Sequence, residues 1–218
     1  MNDVIAEVVP LGLVVAASPF PVIPAILLLF TPRATATTLG FIAGWVIGIV
    51  AATTLFVLVA TGIEMREGPP TWASWARILL GLVLVVLGVR QWSQRHARSE
   101  IPAWMESIDG LTPATALRLG LLLSAANPKI VLLAAAAGLA IGAAELASTE
   151  SAVAIVVFTV IASSTVVLPL VLNTVFGERI LRPLTRVRDW LQENNATVMS
   201  IVVTVIGAVL MLKGIRGL

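Results

Sequence analysis

Charge in this chain falls in clusters, and between the clusters lie long stretches without one charged side chain. Residues 8–32, 34–63, 151–177 and 194–212 carry none, and 119–144 carries only Lys129. The uncharged run 78–89 is shorter, but with its Trp and Gln flanks 72–91 reads as one unit. Water is absent from a bilayer core, so a chain crossing it satisfies its backbone internally, as a helix or a closed barrel. A helix needs about 20 apolar residues for this. The runs are continuously apolar rather than alternating, which excludes a barrel. The sequence therefore predicts an all-α membrane protein with six transmembrane helices.

Composition sharpens this. Hydrophobic residues make up 58% and charged residues 12%, against about 45–50% and about 25% in soluble domains. Cysteine is absent, so disulfides and thiol redox chemistry are excluded. Tyr is also absent and the single His is His96, between Arg95 and Arg98. No nucleophile is paired with a base, no metal-ligand cluster is evident and no nucleotide-binding loop is present. The expectation is a protein that is not an enzyme, with no cofactor and no metal. Nucleic-acid binding would need a basic stripe on a solvated domain, and none is visible. The first segment has Asp3 and Glu7 but no basic start, and it holds Pro19, Pro21 and Pro24. It does not read as a signal peptide.

Basic residues set the orientation. Connections one, three and five carry Arg33, then Arg90, Arg95, Arg98 and Arg118, then Arg179, Arg182, Arg186 and Arg188. The opposite side has Arg66, Arg77, Lys213 and Arg216, with Asp3, Glu7, Glu64, Glu67, Glu145 and Glu150. Both termini are expected outside a bacterial inner (plasma) membrane. In the fifth connection, Ile180, Leu181, Leu184, Val187, Trp190 and Leu191 recur at helical spacing among arginines. This predicts an amphipathic helix over about 178–195, lying at the headgroups or serving as a helical linker. The third connection, 91–115, with Pro102, Trp104 and Pro113, also reads as interfacial. Trp72, Trp75 and Trp92 flank the third span as interface anchors.

The chain also repeats itself. Ala16-Ala17-Ser18-Pro19-Phe20 corresponds to Ala125-Ala126-Asn127-Pro128-Lys129, 109 positions later. Leu87-Gly88-Val89-Arg90 corresponds to Lys213-Gly214-Ile215-Arg216, 126 positions later. The chain divides into a first three-helix repeat, 1–109, and a second, 110–218, within one integral membrane domain. Three helices per half is an odd number, which turns the second half upside down. Secondary transporters are often built this way, with a site where broken helices meet.

Both repeats carry a proline in mid-helix, where it removes a hydrogen bond and clashes with the preceding turn. A lone proline reads as a kink; the pairing across halves points to a binding site formed by Ser18, Pro19, Pro21, Asn127 and Pro128. Lys129 lies about 20 Å along the fourth helix, too deep for easy snorkelling. A charge there is costly, and no Asp or Glu lies inside a span to neutralise it. Its partner is a carbonyl, a polar side chain such as Asn127 or Asn173, or an anionic ligand. In the fifth helix, Ser163, Ser164, Thr165 and Thr174 read mainly as hydroxyls bonded to their own backbone; Asn173 costs more to bury and is the better candidate. Gly40, Gly44 and Gly48 form a close-packing face, within the chain or in a homodimer.

Six helices in two halves, with Asn127-Pro128-Lys129 in the fourth, resemble the LysE exporter superfamily. SPFPVIPAILLLFTPRATATTLGFIAGW (18–45) with SAANPKIVLLAAAAGLAIG (124–142) is more particular. It is similar to the actinobacterial GAP family, the peptidoglycolipid or sulfolipid addressing proteins. The paired cysteines and acidic motifs of other branches are missing. The resemblance implies a carrier of cell-envelope glycolipids or phospholipids across the inner membrane, working beside a large lipid exporter. Read with the residues, this predicts export of an anionic lipid or glycolipid whose headgroup binds near Lys129. The alternatives are an exporter of small amino-acid-like solutes, which needs a hydrated polar cavity, and a non-transporting accessory subunit of a lipid-export complex.

Overall fold

The computed structural model describes residues 1–64, 71–93, 110–144 and 146–216. The interfacial third connection, with Trp104, Pro102 and His96, falls mostly outside the described residues, as do Arg66, Glu67 and Glu145.

The described residues are helical. Helices α1 (Asn2–Ala16) and α2 (Pro19–Leu27) are followed by a 3₁₀ turn, Leu28–Phe30. Then come α3 (Ala34–Glu64), α4 (Thr71–Ser93), α5 (Pro113–Ala125), α6 (Pro128–Gly142) and α7 (Ser148–Phe176). A 3₁₀ turn, Gly177–Ile180, leads into α8 (Leu181–Arg216). Stretches of α3, α4, α7 and α8 are each long and apolar enough to cross a membrane. So are two bent pairs, α1 with α2 at 51° and α5 with α6 at 65°. The chain thus has four candidate spans, or six when each bent pair counts as one.

The bends fall where a residue precedes a proline. Proline crowds the backbone of its predecessor and drives it from helical to extended conformation. Ser18 (φ −71°, ψ 117°) precedes Pro19, and Asn127 (φ −78°, ψ 114°) precedes Pro128. Each proline then opens a new helix, where its missing N–H leaves no bond unmade. Pro19, Pro21 and Pro24 are all accommodated in α2, with Pro24 inside the helix. The disruption is concentrated at Ser18 because the first two prolines occupy a turn that lacks intrahelical N–H partners anyway.

Helix directions follow from where the chains touch. Gly40 lies against Pro113, Gly44 against Leu117 and Leu121, and Gly48 against Ser124. Further along α3, Gly138 of α6 lies against Thr53 and Phe56, and Gly142 against Ala60. So α5 and α6 both advance along α3 in its own direction. The run of three glycines is used inside the chain. Gly12 of α1 approaches Phe158 and Ile161, and the Ala16 carbonyl accepts a hydrogen bond from Thr165, so α1 and α7 are also parallel. Phe41 and Phe158, whose backbone carbonyls face Gly120 and Gly12, are fully buried.

Helices α4 and α8 pack antiparallel along most of their apolar length. A Cβ on Gly81 would sit 2.6 Å from the Gly207 carbonyl oxygen, and one on Gly207 would sit 2.7 Å from that of Gly81. Gly88 faces Thr204 and the Ser200 carbonyl, while Gly214 faces Ile78 and the Ser74 carbonyl. Positions 81 and 207, 88 and 214, 74 and 200, and 78 and 204 each lie 126 apart. The seam therefore matches itself when the two helices are exchanged.

The stretch 178–195 is helical but does not form a helix of its own. Apart from its first turn it is the N-terminal part of α8, whose 36 residues span about 54 Å. Leu184 packs with Val22, Ile26, Leu29 and Leu170, holding this part against α2 and α7. Arg182, Val187 and Trp190 are exposed. Asn194-Asn195 does not break the helix, because Asn194 bonds the Trp190 carbonyl one turn back. At the other end of the seam, Glu7 accepts from Arg77 Nε at 3.0 Å and lies 3.8 Å from Lys213 Nζ. These ion pairs tie α1 to α4 and α8, and they occupy two cations counted above on the outer side. Trp75 and Trp92 are exposed near the ends of α4, as interface anchors would be.

Gly81→Leu and Gly207→Leu are each expected to cost about 1–3 kcal/mol by overpacking, and to similar extents. Thermal unfolding in detergent measures this; a wild-type midpoint in either variant would contradict the seam.

Candidate functional site

The two helix breaks come together. Asn127 and Ser18 are the residues that precede the prolines, and each uses its side chain differently. The Asn127 carbonyl oxygen accepts from the backbone N–H of Lys129 at 3.1 Å and caps α6. Ser18 makes no such cap. Its buried hydroxyl instead accepts from Lys129 Nζ at 3.0 Å. One contact therefore joins the break in α1–α2 to the break in α5–α6.

An ammonium group has three donors. Besides Ser18, the Lys129 ammonium faces the Met199 thioether at 2.6 Å. A thioether is a weak acceptor. Among the described residues no carboxylate lies within ion-pair distance of Lys129. Burying a cation without an anionic partner is costly, so this site is short of negative charge. The N-terminus of α6 adds to the imbalance, since the partial positive end of a helix dipole sits there.

Beside Lys129 is a cavity of about 200 Å³, lined by Phe20, Gln91, Asn127, Lys129, Ala196 and Met199. Four elements supply its wall. Phe20 comes from the first turn of α2 and Gln91 from the end of α4. Asn127 and Lys129 come from the start of α6, and Ala196 and Met199 from the middle of α8. Small-molecule sites usually run to about 300–1,000 Å³, so this space suits a small polar group and not a whole lipid. Exposed apolar side chains such as Val86 and Val89 on α4 and Ile201 and Val205 on α8 cover the outer faces of the neighbouring helices.

Of the residues expected at the site, Ser18, Asn127 and Lys129 are brought together. Pro19, Pro21 and Pro128 start the helices that frame the site but do not line the cavity. Asn173 is partly buried on α7 and does not line it either. The neighbouring hydroxyls mostly bond backbone: Ser164 to Ile161 and Thr174 to Leu170 within α7, and Thr165 across to Ala16. The last satisfies a carbonyl freed by the break in α1. The Ser163 oxygen is buried without a partner among the described residues.

Gln91 and Met199 escaped the sequence reading. Gln91 stands beside Arg90 at the end of a span, where an amide reads as an interfacial residue. Met199 is an apolar side chain in an apolar helix. Their only sequence signal is that α4 and α8 carry corresponding motifs and therefore pair.

Asn127→Ala is expected to lower stability by about 1 kcal/mol through loss of the cap, and Asn127→Ser to retain most of it. Thermal unfolding followed by circular dichroism in detergent checks this; equal losses in both variants would remove the capping role.

A family model described as Sap, sulfolipid-1-addressing protein, matches residues 8–216. No curated protein and no solved structure matches the chain.

Proposed function

The chain belongs to the sulfolipid-1-addressing protein family, and from that premise we propose that it exports an anionic lipid or glycolipid of the cell envelope across the bacterial inner membrane. The family's description ties it to a sulfolipid, an amphiphile with an anionic headgroup and apolar tails. The observation that carries the reading is the Lys129 ammonium. Among the described residues it meets only a hydroxyl and a thioether, at a cavity where two broken helices touch. An acidic headgroup supplies the missing negative charge. The cavity holds the headgroup alone, and the tails remain between helices in the bilayer. No wide polar pore is needed, in keeping with how little charge the spans contain.

In this reading the six spans form two inverted three-helix halves. Supporting it are the matching Ser-Pro and Asn-Pro breaks and the exchange-symmetric seam of α4 and α8. The steady advance of α5 and α6 along α3 supports one crossing by that bent pair rather than a re-entrant loop. The cavity lies toward the end of the seam where α4 finishes, the side rich in arginine. About 21 Å away, 14 residues along each helix, Glu7 joins Arg77 and Lys213. A carrier loaded from the arginine-rich, cytoplasmic side has its far side shut in this way.

Lys129→Met is expected to reduce transfer of an anionic lipid in proteoliposomes about 10- to 100-fold, the loss of one charge-assisted hydrogen bond. Wild-type transfer by a folded variant would overturn the headgroup role. Wild-type protein that moves an amino acid but no lipid would favour the small-solute reading. Activity only in the presence of a larger exporter would favour the accessory subunit. A reporter fused after Leu218 is expected to be active outside the inner membrane; a cytoplasmic signal would reverse the orientation.

A further inference from the structure

Among the described residues, the Gln91 side-chain oxygen has no hydrogen-bond donor. It is fully buried and lines the same cavity as Lys129. A buried amide oxygen without a donor is destabilising unless something fills the place. The nearby polar groups do not fill it. Lys129 Nζ donates to Ser18 and faces Met199, and neither it nor the Asn127 side-chain amide donates to the Gln91 oxygen. The cavity therefore presents two complementary needs at once: a cation seeking an acceptor, and a carbonyl oxygen seeking a donor.

We propose that Gln91 is a specificity-determining residue that selects anionic headgroups carrying a hydroxyl next to the acidic group. The inference rests on the headgroup reading of Lys129 and adds to it. Lys129 answers only to charge, and would take any phosphate, sulfate or carboxylate. Gln91 tells apart two headgroups of equal charge by whether an O–H reaches its carbonyl. A site built around a hydrogen bond rejects a partner lacking it, because its own buried group is then left unpaired. Gln91 sits on α4 and Lys129 on α6, so the two groups are held by different halves of the chain. A headgroup that satisfies both bridges them.

The test uses the purified full chain in phosphatidylcholine nanodiscs, with phosphatidylglycerol or phosphatidylmethanol added. Each carries one phosphodiester charge, and only the glycerol headgroup brings hydroxyls. Native mass spectrometry reads occupancy. The wild type is expected to prefer phosphatidylglycerol about 3- to 10-fold, the worth of one neutral hydrogen bond. Gln91→Leu and the near-isosteric Gln91→Met are expected to bind both lipids equally while still binding them. A merely structural role would weaken both together and leave the ratio unchanged. Equal binding by the wild type overturns the proposal whatever the variants do, and so does a preference that survives both substitutions. Lys129→Met separates the two readings. If it leaves binding of both lipids intact, the headgroup reading itself fails. If it abolishes binding while Gln91 variants keep the preference, only the role of Gln91 fails.

Discussion

A proline has no backbone N–H to give, and it disfavours helical conformation in the residue before it. The rest of the site depends on this constraint, applied twice, at Ser18-Pro19 and at Asn127-Pro128. Each break ends one helix and starts another within a single candidate span. It also leaves backbone groups that hydrocarbon cannot satisfy. The fold answers with side-chain partners: Thr165 from α7 for the Ala16 carbonyl and the nearby Asn127 side chain for the Lys129 N–H. What remains is a polar spot deep in an apolar molecule, the place where an ammonium can be kept.

Close packing of backbone on backbone makes the second contribution. Small residues let helices approach where lipid offers no hydrophobic drive for association. On α3 the glycines admit α5, and on α4 and α8 they admit each other. The α4–α8 seam also brings Gln91 and Met199 to the ammonium. Met199, two helices from Lys129 in the chain, becomes its neighbour only through the packing of α8.

Much of this was legible in the residues. The uncharged runs marked every candidate span, and the two X-Pro positions marked the bends to the residue. Lys129 stood out as the one charge deep within a span. Ser18 was legible through its correspondence with Asn127, although nothing in the sequence said that its hydroxyl would serve the lysine instead of capping a helix. Other features were not legible, for physical reasons. Hydropathy gives the stretch 178–195 a polar character different from 199–216, yet helix formation is local and cooperative. Without a proline or glycine between them the two run on as one helix. Charge counting set Glu7, Arg77 and Lys213 on one side, but only packing could make them partners.

The sequence by itself determined where the chain is apolar, which paired Ser-Pro and Asn-Pro motifs could break its helices, and which single cation lies deep within an apolar run. Those properties are local: they follow from side-chain solvation and from backbone geometry over a few residues. Only the tertiary structure decided that the two breaks touch, that Ser18 and Met199 are what the ammonium meets, and that Gln91 faces the same cavity with its oxygen unpaired. The contacts of the ammonium join residues 111 and 70 positions apart, and Gln91 lies 38 positions before Lys129. They are set by which helix faces can approach most closely, a property of whole surfaces that no local stretch of residues encodes.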